Sequence, residues 1–487
     1  MRKPSHVFDR DDDWDALVDF AADPQPRATL GVVSGRRRQG KTYLLSALAA
    51  ELGGFYFEAA QGTEAESLRM LGAEVARRIG APAPLSFADW YDALAAVFGI
   101  AGDSPTLVVI DEFPYLMKAN PALPSLLQRA IDQHAQGGRT SLARVLICGS
   151  AMSVMGSLLA GTAPLRGRAG LELIIQPFDY RLAAQFWGVT DPKLAAMLHA
   201  VVGGTPAYRR EFVRDDAPSG MADFDSWVER TVLNPRRPLF REARYLLAEE
   251  TDVRDAALYN SVLAAIAAGN ATRGGIANYL GRRAADISHP LTVLEDSRLI
   301  AREPDAFRDG RSQYLIAEPL IAFYQAVMRP EWRSLELGEA GRVWSDAKPR
   351  FESQVMGPHF EKLCREHAML AGSELFGSPA GRVSAGTVAD PDNRTQIQVD
   401  VVALAPSQPA QPKKLLALGE AKWGDVLDMR HLSRLRRARN LLAAKGFDTE
   451  DTVLIGYSGA GFDEQLRTEA RSRHVRLVGV DEMYEPA

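Results

Sequence analysis

The sequence predicts an α/β protein with two separate αβ parts, and three observations carry that prediction. Residues 29–33 form an apolar run that leads into Gly35, Arg36, Arg37, Arg38, Gln39, Gly40, Lys41 and Thr42, then into the helix-forming stretch 43–50. That order is strand, glycine loop, helix, and the loop fits G-x-x-x-x-G-K-[ST]. Two further apolar runs, 106–110 and 144–148, each end in polar groups, as strands buried on both faces of a parallel sheet do. From residue 351 onward the αβ pattern starts afresh.

Composition sets the outer limits. A chain of 487 residues is too long for one core and divides into roughly three or four domains. With 46% hydrophobic and 24% charged residues it is an ordinary globular composition, not a disordered or collagen-like one. The net charge of -5 excludes a globally basic nucleic-acid coat and leaves room for a local basic groove. Cys148 and Cys364, the only cysteines, are too few for a disulfide framework and suggest a reducing compartment. No stretch approaches the roughly 18 apolar residues of a membrane span, and residues 1–13 contain no signal-peptide core, so a cytoplasmic location away from membranes is expected.

The glycine loop predicts a nucleotide site. Backbone N–H groups at a helix N-terminus cradle phosphate, Lys41 reaches the β- and γ-phosphates, and the Thr42 hydroxyl ligates Mg2+. Gly35 and Gly40 permit backbone angles that side chains forbid. Before the loop, 14–21 reads as an amphipathic helix; after it, 53–58 reads as a strand and 64–79 and 87–98 as helices. The strand 106–110 ends in Asp111 and Glu112, the Walker B pattern, in which Asp111 holds Mg2+ and Glu112 polarises the attacking water. The strand 144–149 ends at Ser150, placed to sense the γ-phosphate; Cys148 inside it reads as core. Arg166 and Arg168, ahead of a strand at 171–175, are arginine-finger candidates or merely solvated loop cations.

With residues 8–10, the loop 35–42, 111–116, Gly149 and Ser150, 165–168, and Pro177 and Phe178 in view, residues 5–330 resemble the archaeal-type ATPases of the AAA+/STAND branch. The resemblance implies ATP as the nucleotide, Arg10 and the three loop arginines as parts of the site, Glu112 as catalytic glutamate, Ser150 as sensor and Arg168 as finger. Pro206, in Gly203-Gly-Thr-Pro206, matches a turn that packs near the nucleotide. Arg166 stands where the family has tyrosine, which leaves both arginines in play. A finger acting in trans implies a nucleotide-dependent homo-oligomer; one acting in cis does not.

Residues 180–212 read as a helical lid and 224–250 as a linker rich in arginine. Helices at 256–268, 273–280 and 284–296, followed by strands 299–303 and 313–316, describe a winged helix-turn-helix. Its third helix carries few cations, so DNA contact and intramolecular packing remain alternatives. Residues 331–350 read as a connector. The expected domains are therefore 1–178, 179–250, 251–330, 331–350 and 351–487.

In the last part a helix at 351–369 carries Glu361, a strand at 395–404 carries Asp400, and a strand at 414–423 carries Glu420 and Lys422 across a Pro/Gln-rich loop at 406–412. Period-2 geometry puts Glu420 and Lys422 on one face, where a neighbouring strand can bring Asp400. Carboxylates held together repel unless a cation neutralises them, so Asp400, Glu420 and Glu361 are Mg2+ ligand candidates and Lys422 a group that orients or deprotonates water. A cross-strand salt bridge is the plainer alternative. His359 and His367 read as packed or solvated. Residues 345–485 resemble the PD-(D/E)xK nuclease fold appended to archaeal-type ATPases, which implies a restriction-endonuclease-like α/β domain. The arginines of 430–439 either meet phosphate or form a solvated helix face, and a helix at 463–472 between strands 452–457 and 475–480 closes the domain. The expected function is an ATPase whose nucleotide state controls a Mg2+-dependent nuclease acting on DNA; the alternative is a STAND-like switch that binds DNA or a protein partner without cleaving.

Overall fold

The structure, a computed structural model, describes residues 1–102, 104–136, 141–248, 256–406, 412–471 and 474–485. Most of the Pro/Gln-rich loop (407–411), the linker end (249–250) and the last position of the expected helix 463–472 lie outside them. The chain forms two compact units. The first holds Met1–Pro177 and Thr205–Ala207; the second holds Phe178–Gly204 and nearly everything after Tyr208.

In the first unit the elements run α1 (Asp11–Ala21), β1 (Thr29–Ser34), α2 (Lys41–Leu52), β2 (Phe55–Glu58), α3 (Glu64–Ile79), α4 (Trp90–Gly99), β3 (Thr106–Asp111), α5 (Phe113–Ala119), α6 (Leu123–Gln136), β4 (Ala143–Gly149), α7 (Met152–Ser157) and β5 (Ala169–Ile174). The five strands pair in parallel in the order β2-β3-β4-β1-β5. Alternation along the strands supplies two cores: Leu30, Val32, Val108, Ile110, Val145 and Ile147 on one face, Val33, Val109, Leu146 and Cys148 on the other. Each such buried aliphatic side chain contributes about 1.5–3 kcal/mol.

Local chemistry sets the element ends. The helix expected at 87 begins at Trp90 because the Asp89 carboxylate accepts from Tyr91 N and Asp92 N. The strand expected at 53 begins at Phe55 because Gly53, at φ 59°, caps α2. Arg144 is fully buried in β4, and its guanidinium donates to the carbonyls of Asp23, Gln25 and Arg27 at 2.6–3.0 Å, which ties the segment before β1 to the sheet.

The second unit opens with α8 (Tyr180–Trp187), α9 (Pro192–Val202), α10 (Phe224–Arg230) and α11 (Pro238–Ala248). Three helices follow, α12 (Ala256–Ala267), α13 (Arg273–Tyr279) and α14 (Ser288–Asp296), then an antiparallel hairpin of β6 (Ile300–Pro304) and β7 (Ser312–Ile316) and the short α15 (Pro319–Phe323). The expected connector is corrected: 331–350 contains α16 (Trp332–Glu336) and α17 (Ala340–Arg350), and Val343, Trp344 and Ala347 form a buried stripe at helical spacing. Trp344 Nε1 donates to the Asp225 carboxylate at 2.8 Å, which fixes α17 against α10.

Beyond a wide helical turn at Phe351–Met356 come α18 (Gly357–Leu370), α19 (Gly372–Phe376), β8 (Arg382–Asp390), β9 (Thr395–Leu404), β10 (Leu415–Lys422), α20 (Met429–Ala444), β11 (Val453–Ser458), α21 (Glu464–Glu469), β12 (Val475–Gly479) and α22 (Val480–Tyr484). The strands form one mixed sheet, β12-β11-β10-β9-β8, antiparallel from β8 to β10 and parallel from β10 to β12. Leu432, Leu435 and Leu442 of α20 pack on Val399, Val402 and Leu418. The tip of the β6–β7 hairpin joins the same core through Ala306 and Phe307, and Ala306 N donates to Ala385 O of β8 at 2.9 Å.

Burial also sets a pH response in this unit. His199 of α9 and His359 of α18 share a hydrogen bond, Nδ1 to Nε2, at 2.9 Å. Burial holds both rings neutral: it takes His199 down to about 3 and His359 well below its ordinary value, with Lys362 adding to both. A group whose folded pKa is depressed leaves the unfolded chain binding more protons, so its stability is complete above about pH 6.5 and is lost as pH falls. The expected loss is about 1.4 kcal/mol per pH unit per ring below that point. Unfolding midpoints between pH 7.5 and 5 check it, and the acid slope should flatten in a His199→Gln, His359→Gln variant. Among the described residues no helix is long and apolar enough to cross a membrane.

Candidate functional site

The glycine loop sits at the carboxyl end of the first sheet. Gly40 takes φ 86°, in the left-handed region, just before α2. At Gly35 a Cβ would lie 2.7 Å from Ile175 O, so only glycine lets β1 leave the sheet this close to the end of β5. The loop closes on itself: Arg36 N donates to Gln39 Oε1 at 3.1 Å and Lys41 Nζ to Arg36 O at 2.7 Å. Lys41 is buried, and that desolvation lowers its pKa while nearby Glu112 and Asp111 oppose the shift.

Arg10 and Pro206 both lie against the loop. Arg10, before α1, donates to Gln176 O at 2.6 Å and reaches Gln39 O at 3.5 Å, joining the N-terminal segment to the loop and to the residues after β5. Pro206 lies 3.8 Å from the position a Cβ would take on Gly40, and Ala207 N donates to Arg38 O. Arg37 donates to Tyr115 Oη of α5 at 2.7 Å.

Thr42 Oγ1 donates to Asp111 Oδ2 at 2.8 Å, so the loop hydroxyl and the Walker B carboxylate share one point. Tyr56 of β2 donates to the same oxygen at 2.7 Å; burial and the Asp111 charge hold its phenol protonated. No motif pointed to Tyr56, although the register that sets Glu58 beside Asp111 brings β2 here. Glu112 adopts φ 51°, rare for a residue with a side chain. That turn aims its carboxylate at Ser150 Oγ, 3.0 and 3.1 Å from its two oxygens. Cys148 is fully buried and its thiol is pushed far up, chiefly by burial, as fits a core residue.

The finger candidates are engaged locally. Arg168 makes two bonds to the Asp132 carboxylate of α6, at 3.0 and 2.9 Å, and Arg166 donates to Gly161 O. None of their described contacts is with the loop.

In the second unit β9, β10 and α18 bring the second set together. Asp400 and Glu420 are buried, and Lys422 Nζ stands 3.6 Å from Asp400 Oδ2 and 3.0 Å from Glu420 Oε1. Burial pulls the lysine pKa down, but the two carboxylates outweigh it and hold the ammonium charged. Burial, then the Asp400 charge, raises Glu420 and takes Glu361 up to about 7. Asp400 Oδ2 also accepts from Ala421 N at 3.0 Å.

Residues outside the motif complete this centre. Arg434 of α20 lies 3.1 Å from Glu420 Oε2, and Arg365 of α18 donates to Asp400 O at 3.1 Å. Arg430, Arg436 and Arg437 of the cationic helix pair with Asp428, Glu469, and Asp390 with Asp392. These pairings show how much of that helix's charge is used within the fold.

Mg2+ suits both oxygen-rich sets, though in different degrees. Thr42 and Asp111 offer one hydroxyl and one carboxylate, and nucleotide phosphates supply the remainder of such a shell. In the second unit both Glu420 oxygens are buried, and each meets a cation at hydrogen-bond distance, Lys422 Nζ at 3.0 Å and Arg434 at 3.1 Å. The carboxylate oxygens of Glu420, Asp400 and Glu361 are hard donors of the type a divalent cation takes. Among the described residues no three His, Cys, Asp or Glu side chains gather into a ready metal cage. Lys422 and Arg434 supply positive charge at Glu420 in this arrangement.

The chain has a solved counterpart. The Walker-type ATPase PABY2304 of Pyrococcus abyssi superposes with a TM-score of 0.50 at 19% identity, over 66% of this chain and 97% of its own. The two chains share a fold. The ORC2 protein of Aeropyrum pernix matches more loosely, at a TM-score of 0.38 and 16% identity over 71% of this chain and 98% of its own. In sequence, an uncharacterised protein of Methanocaldococcus jannaschii is 28% identical over 341 residues, 69% of this chain and 71% of that protein. No family model matches.

Proposed function

We propose that the chain binds and hydrolyses ATP with Mg2+, and that its nucleotide state controls a Mg2+-dependent nuclease-like domain acting on DNA. The observation that carries the second half is the meeting of Asp400 of β9 with Glu420 and Lys422 of β10 at one buried point beside Glu361. The first half rests on Lys41, Thr42, Asp111, Glu112 and Ser150 at one sheet end.

At the ATP site the loop N–H groups and α2 bind phosphate, Lys41 turns its ammonium from Arg36 O to the β- and γ-phosphates, and Glu112 orients the attacking water. Ser150 holds the Glu112 carboxylate and senses the γ-phosphate. Arg168 is the proposed finger and leaves Asp132 to act. Mg2+ supplies charge neutralisation and a more acidic water where it binds. Thr42 and Asp111 would hold it at the first site, Asp400, Glu420 and Glu361 at the second. There Lys422 orients the water that attacks a phosphodiester.

A Glu112→Gln substitution keeps the shape and removes the base. It should lower ATP hydrolysis by about 10²-fold or more and leave ATP affinity within about threefold, measured by phosphate release and by nucleotide titration.

We read helices α12–α14 with the β6–β7 hairpin as a winged helix that packs within the chain, because its tip joins the core of the C-terminal sheet. A second reading, a switch that binds without cutting, is favoured by the two cations already on Glu420. Supercoiled plasmid with Mg2+ or Mn2+ separates them: nicking that EDTA stops supports the nuclease, and intact plasmid under every condition leaves the switch.

A further inference from the structure

We propose that the β6–β7 hairpin governs the cation affinity of the C-terminal acidic centre through a buried ion relay, with Arg365 as positioning residue and Glu303 as its anchor. The proposal rests on the metal-site reading of Asp400, Glu420 and Glu361 above.

Arg365 lies one turn beyond Glu361 on α18, and its side chain is only 7% exposed. A guanidinium so buried requires counter-charge. Two carboxylates supply it: Glu303 of β6, 3.4 Å from Nε, and Glu361, 4.0 Å from Nη1. Nη1 also donates to the backbone carbonyl of Asp400. One side chain thus touches the hairpin, the helix that presents Glu361 and the strand that presents Asp400.

The hairpin is seated firmly enough to act through this contact. Ala306 N bonds to β8, Arg382 donates to Ala306 O at 3.3 Å, and the Phe307 ring meets Phe447 edge-on at 5.8 Å. Opposite the tip stands Gly386, where a Cβ would lie 2.5 Å from the Phe307 ring.

While Glu303 is in place the Arg365 charge is shared. When it withdraws, the guanidinium turns its charge on Glu361 and competes with an incoming cation. Movement of the hairpin, the last element of the α12–α14 module, therefore changes how strongly the centre holds metal. This is a route by which that module sets the state of the site.

The test is Mn2+ binding to the full chain without nucleotide, followed by electron paramagnetic resonance, with Glu420→Gln defining the site. Glu303→Gln, which keeps shape and removes charge, should weaken Mn2+ at that site about tenfold. Gly386→Ala displaces the hairpin tip without changing any charge and should weaken it about threefold. Lys413→Ala, which removes the exposed pair between Lys413, ahead of β10, and Asp309 of the hairpin turn, should change nothing. A Glu420-dependent site that keeps its affinity within about twofold in both Glu303→Gln and Gly386→Ala overturns the relay and leaves the metal-site reading standing. A wild-type chain with no Glu420-dependent Mn2+ site overturns that reading, and the relay with it.

Discussion

Glu420→Gln is expected to reduce metal-dependent plasmid cleavage by about 10³-fold while leaving ATP hydrolysis within about twofold of wild type. Glu420 has no exposed surface, and its two oxygens meet Lys422 and Arg434. The amide retains the volume, so packing against α20 is preserved. It removes one of the charges that draws a divalent cation, and it leaves Lys422 with Asp400 as its remaining close partner. Because the substitution lies in the second unit, the loop around Lys41 keeps its own contacts. Gel assay of supercoiled plasmid beside phosphate release measures both outputs on one preparation.

Lys41→Ala carries the other large effect. It should weaken ATP binding by about 10²-fold or more and abolish measurable hydrolysis. Lys41 is buried beside the equally buried Arg36, and its ammonium bonds to Arg36 O within the loop. Alanine removes the charge aimed at the β- and γ-phosphates and opens a small void beneath the loop, while Gly40 and Thr42 remain. Titration with a fluorescent ATP analogue reads the affinity, and a melting curve confirms that α2 stays folded.

What the sequence made legible follows chemistry that is local or periodic. The loop 35–42 is contiguous, and Asp111 and Glu112 end a strand apolar enough to be recognised by its residues alone. Glu420 and Lys422 are two apart on one strand, so period-2 geometry placed them on one face before any fold was known. Tyr56 was invisible because nothing in 53–58 says which oxygen its hydroxyl will meet; the β2–β3 register decides it. Arg434, Arg365 and Glu303 were equally silent, each joining the acidic centre from a different element through pairing that sequence spacing does not encode. The cationic run 430–439 presented the opposite difficulty. Its charges suggested phosphate, yet Arg434, Arg436 and Arg437 meet carboxylates supplied by other segments, and Arg430 meets Asp428 at the helix's own N-terminus. Residues 331–350 read as a connector since Pro330, Pro349 and scattered Gly and Glu masked a stripe of Val343, Trp344 and Ala347. Strand β8, with Ser384, Gly386 and Thr387 in its middle, lacks the apolar signal that β3 and β4 display.

The central claim is that nucleotide state governs the C-terminal domain. Its most direct measurement is the rate of plasmid nicking by the wild-type chain with Mg2+, in the presence and absence of ATP, beside the Lys41→Ala variant. The account predicts that ATP changes the wild-type rate about tenfold or more and leaves the rate of Lys41→Ala unaltered. A wild-type rate that is the same with and without ATP would contradict it.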